Sequence, residues 1–86
     1  MKVTMQGIMD KCFGATYTLL PDGRSTICQI TLENGYTVNG HSACVDIKEY
    51  NQHLGEKYAY EDALSKIWAL EGYLLAEKLF KEKINA

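Results

Sequence analysis

Arginine occurs once in this sequence, at Arg24, against eight lysines, and proline occurs once, at Pro21. Nine basic residues face eleven acidic ones, a formal net charge of −2, so the chain lacks the basic face by which proteins grip a duplex. Polymeric nucleic acid is therefore not the expected partner. A small anionic ligand is compatible with this charge, because a few local donors suffice to hold one. The three cysteines, Cys12, Cys28 and Cys44, are odd in number and have no CxxC spacing. They read as reduced thiols of a cytoplasmic protein, used as small hydrophobes, with neither a disulfide frame nor a metal site implied. Long apolar runs are absent too: "KIWALEGYLL" is too short to span a bilayer and is flanked by charge, and "MKVTMQGIMDK" does not read as a signal peptide. No membrane association is expected.

What is present is apolar surplus. The chain has 86 residues, of which 47% are hydrophobic, including six tyrosines. A single domain of this size buries only about 60–65% of its unfolded surface. The excess points to a subunit interface and hence to a homo-oligomer.

The residues from Phe13 to Leu20 alternate, with Phe13, Ala15, Tyr17 and Leu19 on one face, which predicts a half-buried strand. "PDGR", Pro21 to Arg24, reads as a turn, and a second strand over about Ser25–Leu32 places Cys28, Ile30 and Leu32 on one face. "ENG" closes a second hairpin, and a third strand covers roughly Tyr36–His41. Beyond Cys44 the period changes: Asp46 reads as an N-cap with Glu49 completing the capping pair, followed by apolar residues at helical spacing through Trp68. Gly55 and Gly72 are the weak points, the second separating off a final amphipathic helix with Leu74, Leu75, Leu79 and Phe80; the terminal "INA" is expected to fray. The expected fold is α+β in one domain, residues 1–86. A three-stranded antiparallel meander spans about 12–42, and two helices over about 46–84 pack on it. The opposite sheet face, with Ile27, Gln29 and Thr31, is left for solvent or for another copy.

A catalytic set does not emerge. His41 and Cys44 lie close in sequence, but no third orienting group accompanies them. Glu61 and Asp62 point about 100° apart on a helix, poor geometry for shared acid–base work. The chain is expected not to be an enzyme. Tyr36 and Tyr50 flank the strand-to-helix corner, where a ring could lie against a base, and stacking of this kind contributes about 1–3 kcal/mol. The small residues of "GHSAC" serve either a close strand–helix crossing or the approach of a phosphate.

The stretches "ICQITLENGYTVNGHSACV" and "LGEKYAYEDALSKIWALEGYLL" resemble a family of small tailed-phage proteins of the gene-49/gene-66 type. The resemblance rests on Asn34, Gly35, Tyr36, Gly40, Ser42, Ala43 and Cys44, then Gly55, Ala59, Ala63, Lys66, Ile67, Trp68, Leu70, Gly72, Tyr73 and Leu75, and covers about Ile27–Leu79. The chain departs from the pattern at Ala69, where members often carry proline. Some relatives are Thoeris anti-defence proteins, which sequester glycocyclic ADP-ribose without degrading it, form oligomers and in some cases also bind cyclic oligonucleotides. The resemblance thus implies a homo-oligomeric sponge, a dimer or a higher assembly with a hexamer in range, for a cyclic nucleotide signal in the host bacterial cytoplasm, needing no cofactor. The alternative is a phage protein-interaction or assembly module with no small-molecule ligand. For the implied ligand, side-chain chemistry and approximate family position nominate six residues. Arg24 would be the phosphate-facing cation, Tyr50 the stacking ring and Asn51 an amide. Glu61 and Asp62 would accept from ribose or adenine, with Lys78 as a second cation.

Overall fold

Two glycines in the left-handed region shape the sheet. Gly23, at φ 73°, follows Pro21 and Asp22, and its N–H donates to the Leu20 carbonyl at 3.0 Å. Asp22 locks this turn by accepting from the Arg24 and Ser25 N–H groups, both at 3.0 Å, and from the Ser25 hydroxyl at 2.6 Å. Gly35, at φ 88°, closes the second turn, where Asn34 accepts from the Tyr36 N–H at 3.0 Å. Each turn reverses the chain, and the strands they join are antiparallel in the order β1–β2–β3: β1 (Cys12–Leu19), β2 (Ser25–Leu32) and β3 (Thr37–Ala43). This is a computed structural model describing residues 2–85, the side chain of Asn85 excepted.

Cys28, Ile30 and Leu32 share the buried face of β2, as their alternation predicts. With Val38 of β3 they meet Ala59, Ala63 and Ile67 of the long helix α2 (Gln52–Asn85), which lies over β2 and β3. The closeness of that crossing explains Gly40. A Cβ placed there would overlap the Ala59 carbonyl and the Ala63 backbone and come within 2.8 Å of the Ala63 methyl. The small residues of "GHSAC" therefore serve a strand–helix crossing.

Three expectations are corrected. β1 is not half-buried: it is exposed along nearly its whole length, because one helix cannot cover three strands and α2 sits over the other two. Phe13 also leaves the alternation, since the register slips between Cys12, opposite Leu32, and Gly14, opposite Thr31. In place of two helices there is one, unbroken through Gly55, Ala69 and Gly72. A single glycine costs a helix only about 1 kcal/mol, too little to break it, and alanine at 69 keeps the N–H that proline would remove. Asp46 caps only a 3-10 turn at Ile47–Glu49; the N-cap of α2 is Asn51, which accepts from the Leu54 N–H at 3.1 Å.

At 1.5 Å per residue, 34 helical residues extend about 51 Å, whereas a strand of eight extends only about 27 Å. The C-terminal half of α2 accordingly runs past the sheet, leaving Leu74, Leu79 and Phe80 exposed where packing was expected, with Tyr73 and Ile84 exposed beside them. Its terminal "INA" is helical as far as Asn85; Ala86 lies outside the described residues. A short helix not expected above, α1 (Met5–Lys11), is capped by Thr4, buries Ile8 in the core and joins α2 through Lys11–Glu71 at 2.8 Å.

Candidate functional site

Two cross-strand neighbours, Thr26 and Ser42, place hydroxyls beneath the first turns of α2. The Ser42 hydroxyl donates to the Gly55 carbonyl at 2.7 Å, and the Thr26 hydroxyl lies 3.3 Å from that of Tyr50. Gly55 permits this approach: an added Cβ would stand 2.8 Å from the Thr26 oxygen. The arrangement leaves a cleft of about 160 Å³ between the start of α2 and the end of β3, lined by Arg24, Ser42, Cys44, Tyr50, Asn51 and Tyr58 among others.

Three of the six nominated residues meet in this cleft. Arg24 enters from the turn before β2, its guanidinium donating to the Cys44 carbonyl at 2.9 Å while its own carbonyl accepts from the Cys44 N–H at 2.9 Å. Its 3.9 Å pair with Asp22 is solvent-exposed and adds little stability. Tyr50 and Asn51 arrive together because Asn51 must begin the helix. Arg24 brings a planar fork of donors, Tyr50 a ring and hydroxyl, and α2 the positive end of its dipole. Together these groups suit an anion attached to an aromatic or sugar group.

The other three nominated residues lie elsewhere. Glu61 faces a separate groove between α2 and β1, shared with Tyr17 and Tyr60. Asp62 is committed to the outer edge of β3, accepting from the His41 N–H at 2.9 Å with Lys66 at 3.5 Å. Lys78 lines the groove between α1 and α2, 26 residues beyond Gln52. At 1.5 Å per residue that is roughly 40 Å along the axis, beyond the reach of one small ligand spanning from Arg24 within a single chain. Adjacent positions on a helix share neither face nor neighbour, so the helical pattern alone could not say which carboxylate met which strand. Tyr36 does not accompany Tyr50; it follows the β2–β3 turn, at the opposite end of β3.

His41 and Cys44 are not brought together. His41 pairs with Ile27 on the sheet face away from α2, whereas Cys44 lines the cleft and its thiol donates to the Asp46 carbonyl at 3.0 Å. Burial raises the Cys12 and Cys28 thiols, which disfavours thiolate there. Among the described residues, no group of three or more His, Cys, Asp or Glu is placed to hold a metal ion, and no helix is long and apolar enough to cross a membrane.

Asp62 and Asp22 are held below the ordinary aspartate value of 3.8, Asp62 chiefly by the His41 N–H and Asp22 chiefly by the Ser25 hydroxyl. The unfolded chain therefore takes up protons first as pH falls. The stability these carboxylates contribute is full above 3.8 and is lost as pH falls through their lower folded values. Thermal melts recorded between about pH 6 and pH 2 are expected to show this loss, with a shallower decline in Asp62→Asn, which removes one of these two contributions. An unchanged slope in the variant would remove Asp62 from the account.

No curated protein and no solved structure matches the chain. The family profile described as phage protein (N4 Gp49/phage Sf6 gene 66) matches residues 3–79, nearly the whole chain including the cleft, the sheet and most of α2. The chain thus belongs to the phage protein (N4 Gp49/phage Sf6 gene 66) family.

Proposed function

We propose that this phage protein binds and sequesters a bacterial cyclic nucleotide signal, glycocyclic ADP-ribose or a related cyclic species, in the host cytoplasm and without degrading it. The resemblance to Thoeris anti-defence proteins suggests the ligand class. The observation that carries the reading is the convergence of Arg24, Tyr50 and the start of α2 on one cleft. Its roughly 160 Å³ falls below the ~300–1,000 Å³ of common ligand pockets. One chain encloses part of a dinucleotide at most, so the complete site is formed between copies.

Calorimetry with glycocyclic ADP-ribose tests this. Tight binding is expected, with the nucleotide recovered intact after the protein is denatured; cleaved product would make the protein an enzyme. Loss of a charge-assisted hydrogen bond costs about 1.5–3 kcal/mol, so Arg24→Gln is expected to weaken binding by roughly 10- to 150-fold. An unchanged affinity would move the anion away from this cleft.

The exposed Tyr73, Leu74, Phe80 and Ile84 of α2 favour a second reading, an assembly or interaction module. That reading gains if no cyclic nucleotide binds and truncation after Gly72 abolishes association with a phage or host protein.

A further inference from the structure

The N-terminal segment meets the overhang of α2 in a groove of about 370 Å³, more than twice the volume of the cleft at Arg24. Unlike that cleft, it falls within the ~300–1,000 Å³ of common ligand pockets. Local sequence builds it. Thr4 caps α1 by accepting from the Gly7 N–H at 3.0 Å, and the turn this fixes sends Ile8 into the core. With Ile8 anchored, Lys11 of the last turn reaches Glu71 at 2.8 Å and holds α1 beside α2.

The lining is of two kinds. Val3, Leu74 and Leu75, together with the buried Ile8, give an aliphatic floor. Around it stand three lysines, Lys2, Lys11 and Lys78, against one carboxylate, Glu71. A local excess of positive charge in a chain whose net charge is −2 suits an anion. Among the described residues no aromatic ring lines the groove, so a nucleobase has nothing to stack on. The wall that α1 supplies is also short. Its seven residues extend about 10 Å, against about 17 Å for a helix of ordinary length. A helix docking from a partner protein would overrun that wall. An aliphatic chain with one charged end matches its length, its floor and its charge.

We propose that the groove between α1 and α2 binds a medium-chain fatty acid, the chain lying on Val3, Ile8, Leu74 and Leu75 and the carboxylate among Lys2, Lys11 and Lys78. Ion pairing at an exposed rim contributes little and is screened by salt, so the chain supplies most of the affinity while the lysines set its direction. The groove is separate from the cleft at Arg24, and its assignment does not rest on the sequestration reading.

Calorimetry with hexanoate, octanoate and decanoate, each below the concentration at which it forms micelles, tests this. Half-burial of each methylene on an open floor corresponds to about a 2-fold rise in affinity, so decanoate is expected to bind about 4-fold more tightly than octanoate. Decanol, which lacks the charge, is expected to bind more weakly than decanoate. The methyl NMR signals of Val3, Ile8, Leu74 and Leu75 are expected to shift on titration of the wild type with decanoate. Leu74 is 56% exposed, so Leu74→Glu is expected to keep the wild-type circular dichroism yet lose decanoate binding, because it sets a second carboxylate on the floor. Affinity independent of chain length, decanol binding as tightly as decanoate, methyl shifts confined to other residues, or a folded Leu74→Glu that still binds would overturn the proposal. Glycocyclic ADP-ribose is expected to leave decanoate in place, and displacement would overturn the assignment of a separate site. A protein that binds the nucleotide but no fatty acid would overturn this proposal alone, and one that binds decanoate but no nucleotide the sequestration reading alone.

Discussion

Gly40→Ala is expected to lower the melting temperature by about 10–25 °C. Overpacking a core costs about 1–3 kcal/mol, and in a domain of this size each kcal/mol moves the midpoint by about 4–8 °C. The top of that range applies because the added methyl meets the Ala59 carbonyl and the Ala63 backbone, which cannot rotate aside as a side chain would. The smaller unfolded-state entropy of alanine offsets only about 0.4–1 kcal/mol. Relief requires α2 to lift from β3, which would also widen the cleft between Cys44 and Tyr50. A loss in nucleotide affinity is therefore expected to accompany the loss in stability. A variant melting within a few degrees of wild type would show that α2 is not seated on β3 at this distance.

Ile67→Ala is expected to cost about 2–5 kcal/mol, against about 0.5–1.5 kcal/mol for Ile67→Val, as measured by urea titration. Of the three α2 residues in the buried core, Ile67 is the only one larger than alanine, and it is wholly inaccessible to solvent. Beyond it, past a groove that Ala69 and Leu70 share with Tyr36 and Val38, the helix overhangs the sheet and meets α1 through Lys11–Glu71 and the groove at Leu75. A helix of that length without packing is marginal in water. The alanine variant is thus expected to lose helical signal from the C-terminal half before the sheet unfolds. A fully cooperative transition would indicate that the overhang is held by something other than its own chain, a second copy being the first candidate.

Much of the meander was legible because its causes are local. "PDG" and "NG" carry glycines at the two positions where φ is positive, and the alternation of Cys28, Ile30 and Leu32 reports a face buried by β2 alone. β1 shows the same alternation in sequence, yet its burial depended on how many helices lay above it, which no single strand encodes. Likewise Asp46 and Asn51 are both good caps. The choice between them fell to the place where the chain could pass Thr26 and Ser42 closely enough to begin a long helix.

The nominated ligand residues divide along the same line. Arg24 belongs to a tight turn and Tyr50 and Asn51 to a helix start, and such chain ends gather at one end of a small sheet. Glu61, Asp62 and Lys78 were chosen by chemistry on a helix, where one residue of displacement turns a side chain by 100° and a few turns carry it out of reach. The sequence by itself determined the meander, the helical C-terminal half and the family, since turn chemistry, hydrophobic period and motif spacing are written residue by residue. Only the tertiary structure decided that α2 is continuous, that it shelters two strands and seals one edge, and that β1 stays bare. Those outcomes follow from how closely Gly40 lets one helix approach a sheet too wide for it to cover.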